Sequence, residues 1–183
     1  DQLTLRTERL ALRPLREADA HALFALFSDS DVMRYWSGVP WTDVARAHEM
    51  IAKDATAMRG GEHLRLGLAR TDDGALIGTC TLFAFNGQCR RAELGYSLVP
   101  AVWGRGYMHE ALRTLLDFGF GELALNRVEA DIDPRNTASA RSLERLGFRQ
   151  EGYLRERWIV ADEVSDSMLY GLLQREWLAR QAT

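Results

Sequence analysis

Residues 63–99 constrain the fold most. HLRLGLART runs to Asp73-Gly74, ALIGTCTLFAF runs to Asn86-Gly87, and RRAELGYSLV ends against Pro100. The runs carry strand-type patterning and the junctions are tight-turn dipeptides. Strands that follow one another this closely form an antiparallel meander, because parallel neighbours need a crossover of a dozen or more residues. If Asn86-Gly87 is a two-residue loop, Cys80 faces Glu93 and Cys89 faces Ala84. The two thiols then lie roughly 13 Å apart, too far for a disulfide. Two reduced cysteines in a cytoplasmic protein are expected.

The flanking segments complete the order of elements. LTLRTERLALRPL alternates apolar and polar residues and reads as one strand with a bulge near Thr7. READAHALFALFSD and VARAHEMIAKDATAMRG read as helices. The second starts after a cap at Thr42 and ends at Gly60-Gly61. After the meander come a helix through Phe118 or Phe120, a strand at NRVEADID and a helix at NTASARSLERLGF stopped by Gly147. GYLRERWIV and VSDSMLYGLL form a last hairpin, and QREWLARQ closes the chain. The fold class is α+β in three layers: a mixed, mostly antiparallel, seven-stranded sheet with helices on both faces. No repeat or linker divides residues 1–183, so a single domain is expected.

Between strand and helix lies VPAVWGRGYMHEAL. Pro100 stops regular pairing. Gly104 and Gly106 let backbone approach a ligand closely. The first N–H groups of the next helix, from about Gly104 to Met108, lack intrahelical partners and sit at the positive end of its dipole. Arg105 can add a charged contact at the rim. Taken alone, the stretch is either an anion site or a tight turn whose glycines serve geometry only. It is not a triphosphate loop, which needs Lys-Ser or Lys-Thr, nor a dinucleotide fingerprint, which needs a third glycine and a parallel sheet.

WGRGYMHEAL also resembles the acetyl-coenzyme-A signature of the GNAT acetyltransferases. The nearest branch holds the RimJ/RimL ribosomal-protein N-terminal acetyltransferases. TERLALRPL, AELGYSLVP, NTASARSLERLGF and GFRQEGYLRE agree with that branch in order, across nearly the whole chain. Met108 stands where the signature has Gly or Ala, His109 replaces a small hydroxyl residue, and Leu143 occupies the position where many members carry a proton-donating Tyr.

The resemblance implies acetyl-CoA as co-substrate and an amine acceptor, either a protein N-terminus or a small molecule. It implies cofactor contacts from Leu98 and Val99, beside which the pantetheine arm lies, and from Trp103, Gly104, Arg105, Gly106, Tyr107 and Met108. Asn136 would hold the pantetheine amide and Arg141 would reach the phosphates. A backbone N–H near Leu98 would stabilise the oxyanion, a contact commonly worth about 3 kcal/mol. Leu98 and Val99 are expected to have free backbone groups.

Two side chains are candidates for proton transfer. Glu93, acting through a water, is the candidate base. It shares its strand face with the small residues Gly95 and Ser97, and its alternative is a plain ion pair with Arg90 or Arg91. Ser139 is the candidate donor to the leaving thiolate; its alternative is a helix-cap role, which also competes for Asn136. Tyr35, Trp36 and Trp41 are candidates for the acceptor wall or for local core.

Composition closes several classes. Apolar residues make up 46% and charged residues 27%, as in ordinary globular proteins. The net charge of −3 gives no drive toward nucleic acid. No apolar run approaches a membrane span. The four histidines show no metal-ligand spacing, and HEM at 48–50 is not a zinc motif. An N-acetyltransferase without a metal, monomeric or homodimeric, is expected. The rivals are a small-molecule amine acetyltransferase, for a polyamine, amino acid or aminoglycoside, and a non-catalytic acyl-CoA-binding module.

Overall fold

Strand alternation sorts the side chains into two layers. In β5 (Arg91–Leu98), Ala92 and Leu94 are buried on one side, whereas Glu93 and Gly95 lean to the other and are only half-buried. The structure is a computed structural model describing residues 3–182. The other strands are β1 (Leu5–Arg6), β2 (Leu10–Arg13), β3 (Leu64–Arg70), β4 (Leu76–Asn86), β6 (Arg127–Ile132), β7 (Arg149–Val160) and β8 (Glu163–Leu173). They join in one sheet of order β1-β2-β3-β4-β5-β6-β8-β7, with β5–β6 the parallel pair.

The sheet has eight strands rather than seven. The N-terminal run is a hairpin, not a bulged strand: Leu5 pairs with Leu12, and Thr7 N donates to the Leu10 carbonyl across the turn. The β4–β5 register also differs from a two-residue loop. Cys80 faces Tyr96, and Phe83 faces Glu93. Ala84 takes a left-handed φ of 51°, the ladder shifts between Phe83 and Asn86, and the turn occupies residues 87–90. Both cysteines are free.

The helices are α1 (Ala20–Ser28), α2 (Ser30–Met33), α3 (Ala45–Gly60), α4 (Tyr107–Phe120), α5 (Thr137–Leu146) and α6 (Gln174–Gln181). Asp43, not Thr42, satisfies the start of α3, its carboxylate accepting from Ala45 N at 2.9 Å. Leu112, Leu115 and Leu116 of α4, Leu143 of α5 and Trp177 of α6 pack with Leu66, Leu82, Leu94 and Val128 on one sheet face. Each buried leucine contributes about 2 kcal/mol by removal from water. Leu23 and Phe27 of α1, Val32 and Met33 of α2, and Ala47 and Ile51 of α3 form a second cluster that includes Leu76 and Val99. Among the described residues, no helix is long and apolar enough to cross a membrane.

One discontinuity positions the site. β5 and β6 pair only at Arg91–Arg127, Ala92–Val128 and Glu93–Glu129. Beyond that, β5 stays on β4 and β6 follows β8, so the two strands splay apart. Because they are parallel, α4 and α5 both begin at the open end of the splay. Such a crevice at the carboxyl ends of diverging strands is where open sheets bind ligands.

Candidate active site

The backbone along the splay follows from the register. Val99 N donates to the Ile77 carbonyl at 2.8 Å. Hydrogen bonding alternates along an antiparallel ladder. Val99, Ser97 and Gly95 therefore turn their polar groups to β4, and Tyr96 and Leu98 turn theirs toward the gap. The Leu98 carbonyl accepts the Trp103 indole N–H at 2.7 Å. The expectation that both Leu98 and Val99 are free is thus corrected: Val99 is used by β4 and the Leu98 carbonyl by Trp103.

Past Leu98 the chain makes a short 3-10 turn at Pro100–Val102 and enters α4 through two left-handed glycines, Gly104 at φ 73° and Gly106 at φ 80°. The turn itself therefore requires glycine at both positions. Among the described residues no side chain caps α4, so its first N–H groups are open. The space beside Gly104 is empty where a Cβ would stand. Tyr107 and Met108 pack on the main core, so the bulk of Met108 is spent inward.

Glu110 fixes this corner. Its carboxylate accepts from the Thr7 hydroxyl, from Arg9 N at 2.9 Å and from Arg9 Nε at 2.6 Å. Arg9 also donates to the Arg105 carbonyl at 2.9 Å and stacks on Tyr107 at 4.3 Å. Burial opposes the charge on Glu110, but Thr7 and Arg9 outweigh it and hold its carboxyl below the usual range. Arg9 and Thr7 were not read from the sequence as parts of this corner; TERL upstream of a helix glutamate was the available signal.

Glu93 lies on the opposite sheet face, at the last paired position before the splay. It lines a cavity of about 300 Å³ with Arg127, Glu129, Ala130, Asp131, Glu151, Arg157, Leu169 and Tyr170. The other acids are compensated. Glu129 holds Arg127 at 2.7 Å and Arg91 at 3.2 Å, Asp131 holds Arg157 at 3.2 Å, and Glu151 pairs with Arg127. Among the described residues the Glu93 side chain has no hydrogen bond or ion pair, so the pairing with Arg90 or Arg91 is not made. Burial raises its carboxyl pKa, and the charges of Glu129 and Asp131 raise it further against Arg157 and Arg91.

At the far side of the gap, Asn136 caps α5, its side chain accepting from Ser139 N at 3.1 Å. The Tyr96 hydroxyl meets Ser139 Oγ at 2.6 Å. Burial pushes the Tyr96 phenol up to about 12, against the effect of the Ser139 bond. Tyr96 was not among the residues singled out by sequence, although ELGYSLVP contains it. Leu143 is fully buried in the main core. Arg141 is exposed on α5.

The aromatic segment divides. Trp36 meets Phe27 edge-on at 5.5 Å, Trp41 lies 4.9 Å from Phe27, and both join the second core. Tyr35 instead faces Arg135, 5.5 Å away in the turn before α5. His109 carries a buried Nδ1 without a partner, and burial with Arg145, Arg113 and Arg180 holds the ring below its ordinary pKa. Among the described residues, no three His, Cys, Asp or Glu side chains are gathered as metal ligands.

The split between β5 and β6, with two helix starts at its mouth, frames the candidate site. Residues 9–149 match the Acetyltransferase (GNAT) domain family, and the chain belongs to that family. It is 37% identical over 174 residues to an uncharacterized N-acetyltransferase, p20, of Bacillus licheniformis, covering 95% of this chain and 98% of that one. It is 26% identical to spermidine N(1)-acetyltransferase of Escherichia coli K12, covering 94% and 90%. The solved ribosomal-protein-S5-alanine acetyltransferase of Vibrio fischeri has the same fold, with a TM-score of 0.84 at 20% identity over 96% of this chain and 98% of that one. The protein is an N-acetyltransferase.

Proposed function

We propose that the protein, a single catalytic domain acting in the cytoplasm, transfers the acetyl group of acetyl-CoA to a singly charged primary amine, of which a protein N-terminal α-amine is the leading case. The observation that carries the acceptor class is charge pairing in the cavity: of its four acids, Glu93 alone lacks an arginine. One open carboxylate suits one cation. A polyamine would need several.

The chain's own residues divide the work. The first N–H groups of α4, with Gly104, Arg105 and Gly106, receive the diphosphate. The gap-facing groups of Tyr96 and the Leu98 N–H receive the pantetheine amides as an added strand would. Asn136 and Arg141 stand on the α5 side, and Tyr35 on the acceptor side. The amine enters from the Glu93 face and loses its proton through water to Glu93, whose raised pKa brings it nearer working pH. The amine nitrogen attacks the thioester carbon, the C–S bond breaks, and the thiolate leaves on the Ser139 side.

The test is a panel of acceptors with acetyl-CoA, read by thiol release. Peptides with free N-termini should give a higher kcat/KM than spermidine. Preference for spermidine would replace the proposed acceptor with a polyamine. Cofactor binding with no turnover on any amine would favour an acyl-CoA-binding module.

A further inference from the structure

Ser139 is the candidate donor at the leaving thiolate, yet a lone hydroxyl in a helix's first turn can point its hydrogen several ways. Two oxygens of Ser139 lie near the Tyr96 hydroxyl: Oγ at 2.6 Å and the backbone carbonyl at 3.4 Å. Oxygen–oxygen hydrogen bonds are strongest at about 2.5–3.0 Å, so Oγ is the better acceptor for the phenolic hydrogen and the carbonyl the weaker one. We infer that Tyr96 is a positioning residue: its O–H donates to Ser139 Oγ and leaves the Ser139 hydrogen for the acyl sulfur in the gap between β5 and β6.

The fold enforces this arrangement. Tyr96 extends on the core face of β5, with its ring packed on the main cluster beside Leu94 and opposite Cys80. Ser139 is held by the α5 cap, in which its own N–H is bound to Asn136. The bond therefore ties β5 to the start of α5 where the β5–β6 ladder has ended. Glu93 is on the other face, so base and donor approach the reacting carbon from opposite sides of the sheet.

Burial keeps the phenol protonated throughout the working range. A phenolate is disfavoured in this buried position, so Tyr96 is a hydrogen-bond donor and not the proton source. As the C–S bond breaks, Ser139 relays a proton in one step: its hydrogen goes to the sulfur while Oγ takes one from solvent, so no alkoxide forms. The amine's proton goes to Glu93 and then to water. Atoms and charge balance, and Tyr96 ends as it began.

The inference rests on the proposed role of Ser139, and a double-mutant cycle separates the two. Tyr96→Phe keeps the ring and removes the hydroxyl. It should lower kcat about 5-fold with KM for acetyl-CoA unchanged, whereas Ser139→Ala lowers kcat about 100-fold. In the Ser139→Ala background, Tyr96→Phe should have no further effect. Both deficits should narrow as pH rises through the thiol range, where the leaving group needs no proton. An unaltered kcat in Ser139→Ala overturns the role of Ser139. A normal Ser139 deficit with no Tyr96→Phe effect overturns the positioning role alone. An equal Tyr96→Phe effect in both backgrounds, without pH dependence, makes Tyr96 a packing residue. Thermal melting of each variant reports folding independently.

Discussion

Replacing Glu93 by Gln removes the candidate base and keeps its shape. In the wild type, kcat/KM should rise with pH until Glu93 is ionised, at a pH above the ordinary carboxylate range because burial, Glu129 and Asp131 raise its pKa. Without the base, only acceptor already deprotonated in solution can react. At pH 7 that is about one molecule in ten for an α-amine of pKa ~8, and about one in 2,500 for a lysine-type amine of pKa ~10.4. The expected penalty with a peptide N-terminus is therefore at least about 10-fold at pH 7. It should grow at lower pH until Glu93 itself is protonated, and vanish above pH ~9. Initial rates of thiol release across this range, for both proteins, measure it. A constant ratio of wild-type to Glu93→Gln activity at every pH would refute the assignment of Glu93 as base.

The same raised pKa has a stability consequence. The folded state binds a proton to Glu93 more tightly than the unfolded chain does, so stability falls as pH rises through that interval. Glu93→Gln should therefore melt higher than wild type at neutral pH, with the gain lost in acid. Glu110 has the opposite sign: its lowered pKa gives stability present above the unfolded carboxylate range and lost as pH falls. Glu110→Ala, which strands Thr7 and Arg9, should cost about 2 kcal/mol in denaturant melts at pH 7 and less in acid. Gly106→Trp should abolish acetyl-CoA binding in calorimetry. The left-handed backbone adds about 1–2 kcal/mol of strain, so a melt must accompany it.

The meander was legible because β3 to β5 are bounded by turn dipeptides and terminated by a proline. α4 was legible from its apolar face and its two glycines. The register was not, because Ala84 adopts a left-handed conformation that no residue type announces. The N-terminal hairpin was read as a single strand because its turn is held by Glu110, about a hundred residues away. Glu93 stood out by its small neighbours, but the arginine pairing that leaves it alone is a product of β6, β7 and β8 meeting across the sheet. Tyr96 passed as a strand aromatic, since its partner Ser139 is brought to it only when β5 and α5 flank one gap. Trp36 and Trp41 could not be divided from Tyr35 by sequence, because the division depends on where Phe27 sits.

The most direct test counts both products of one reaction. With acetyl-CoA and an N-terminal peptide, free thiol and N-acetylated peptide should appear in equal amounts and at equal rates, with no thiol formed when the amine is omitted. Thiol release that ignores the amine, or no acetylated product from any primary amine, would contradict direct transfer at the β5–β6 gap.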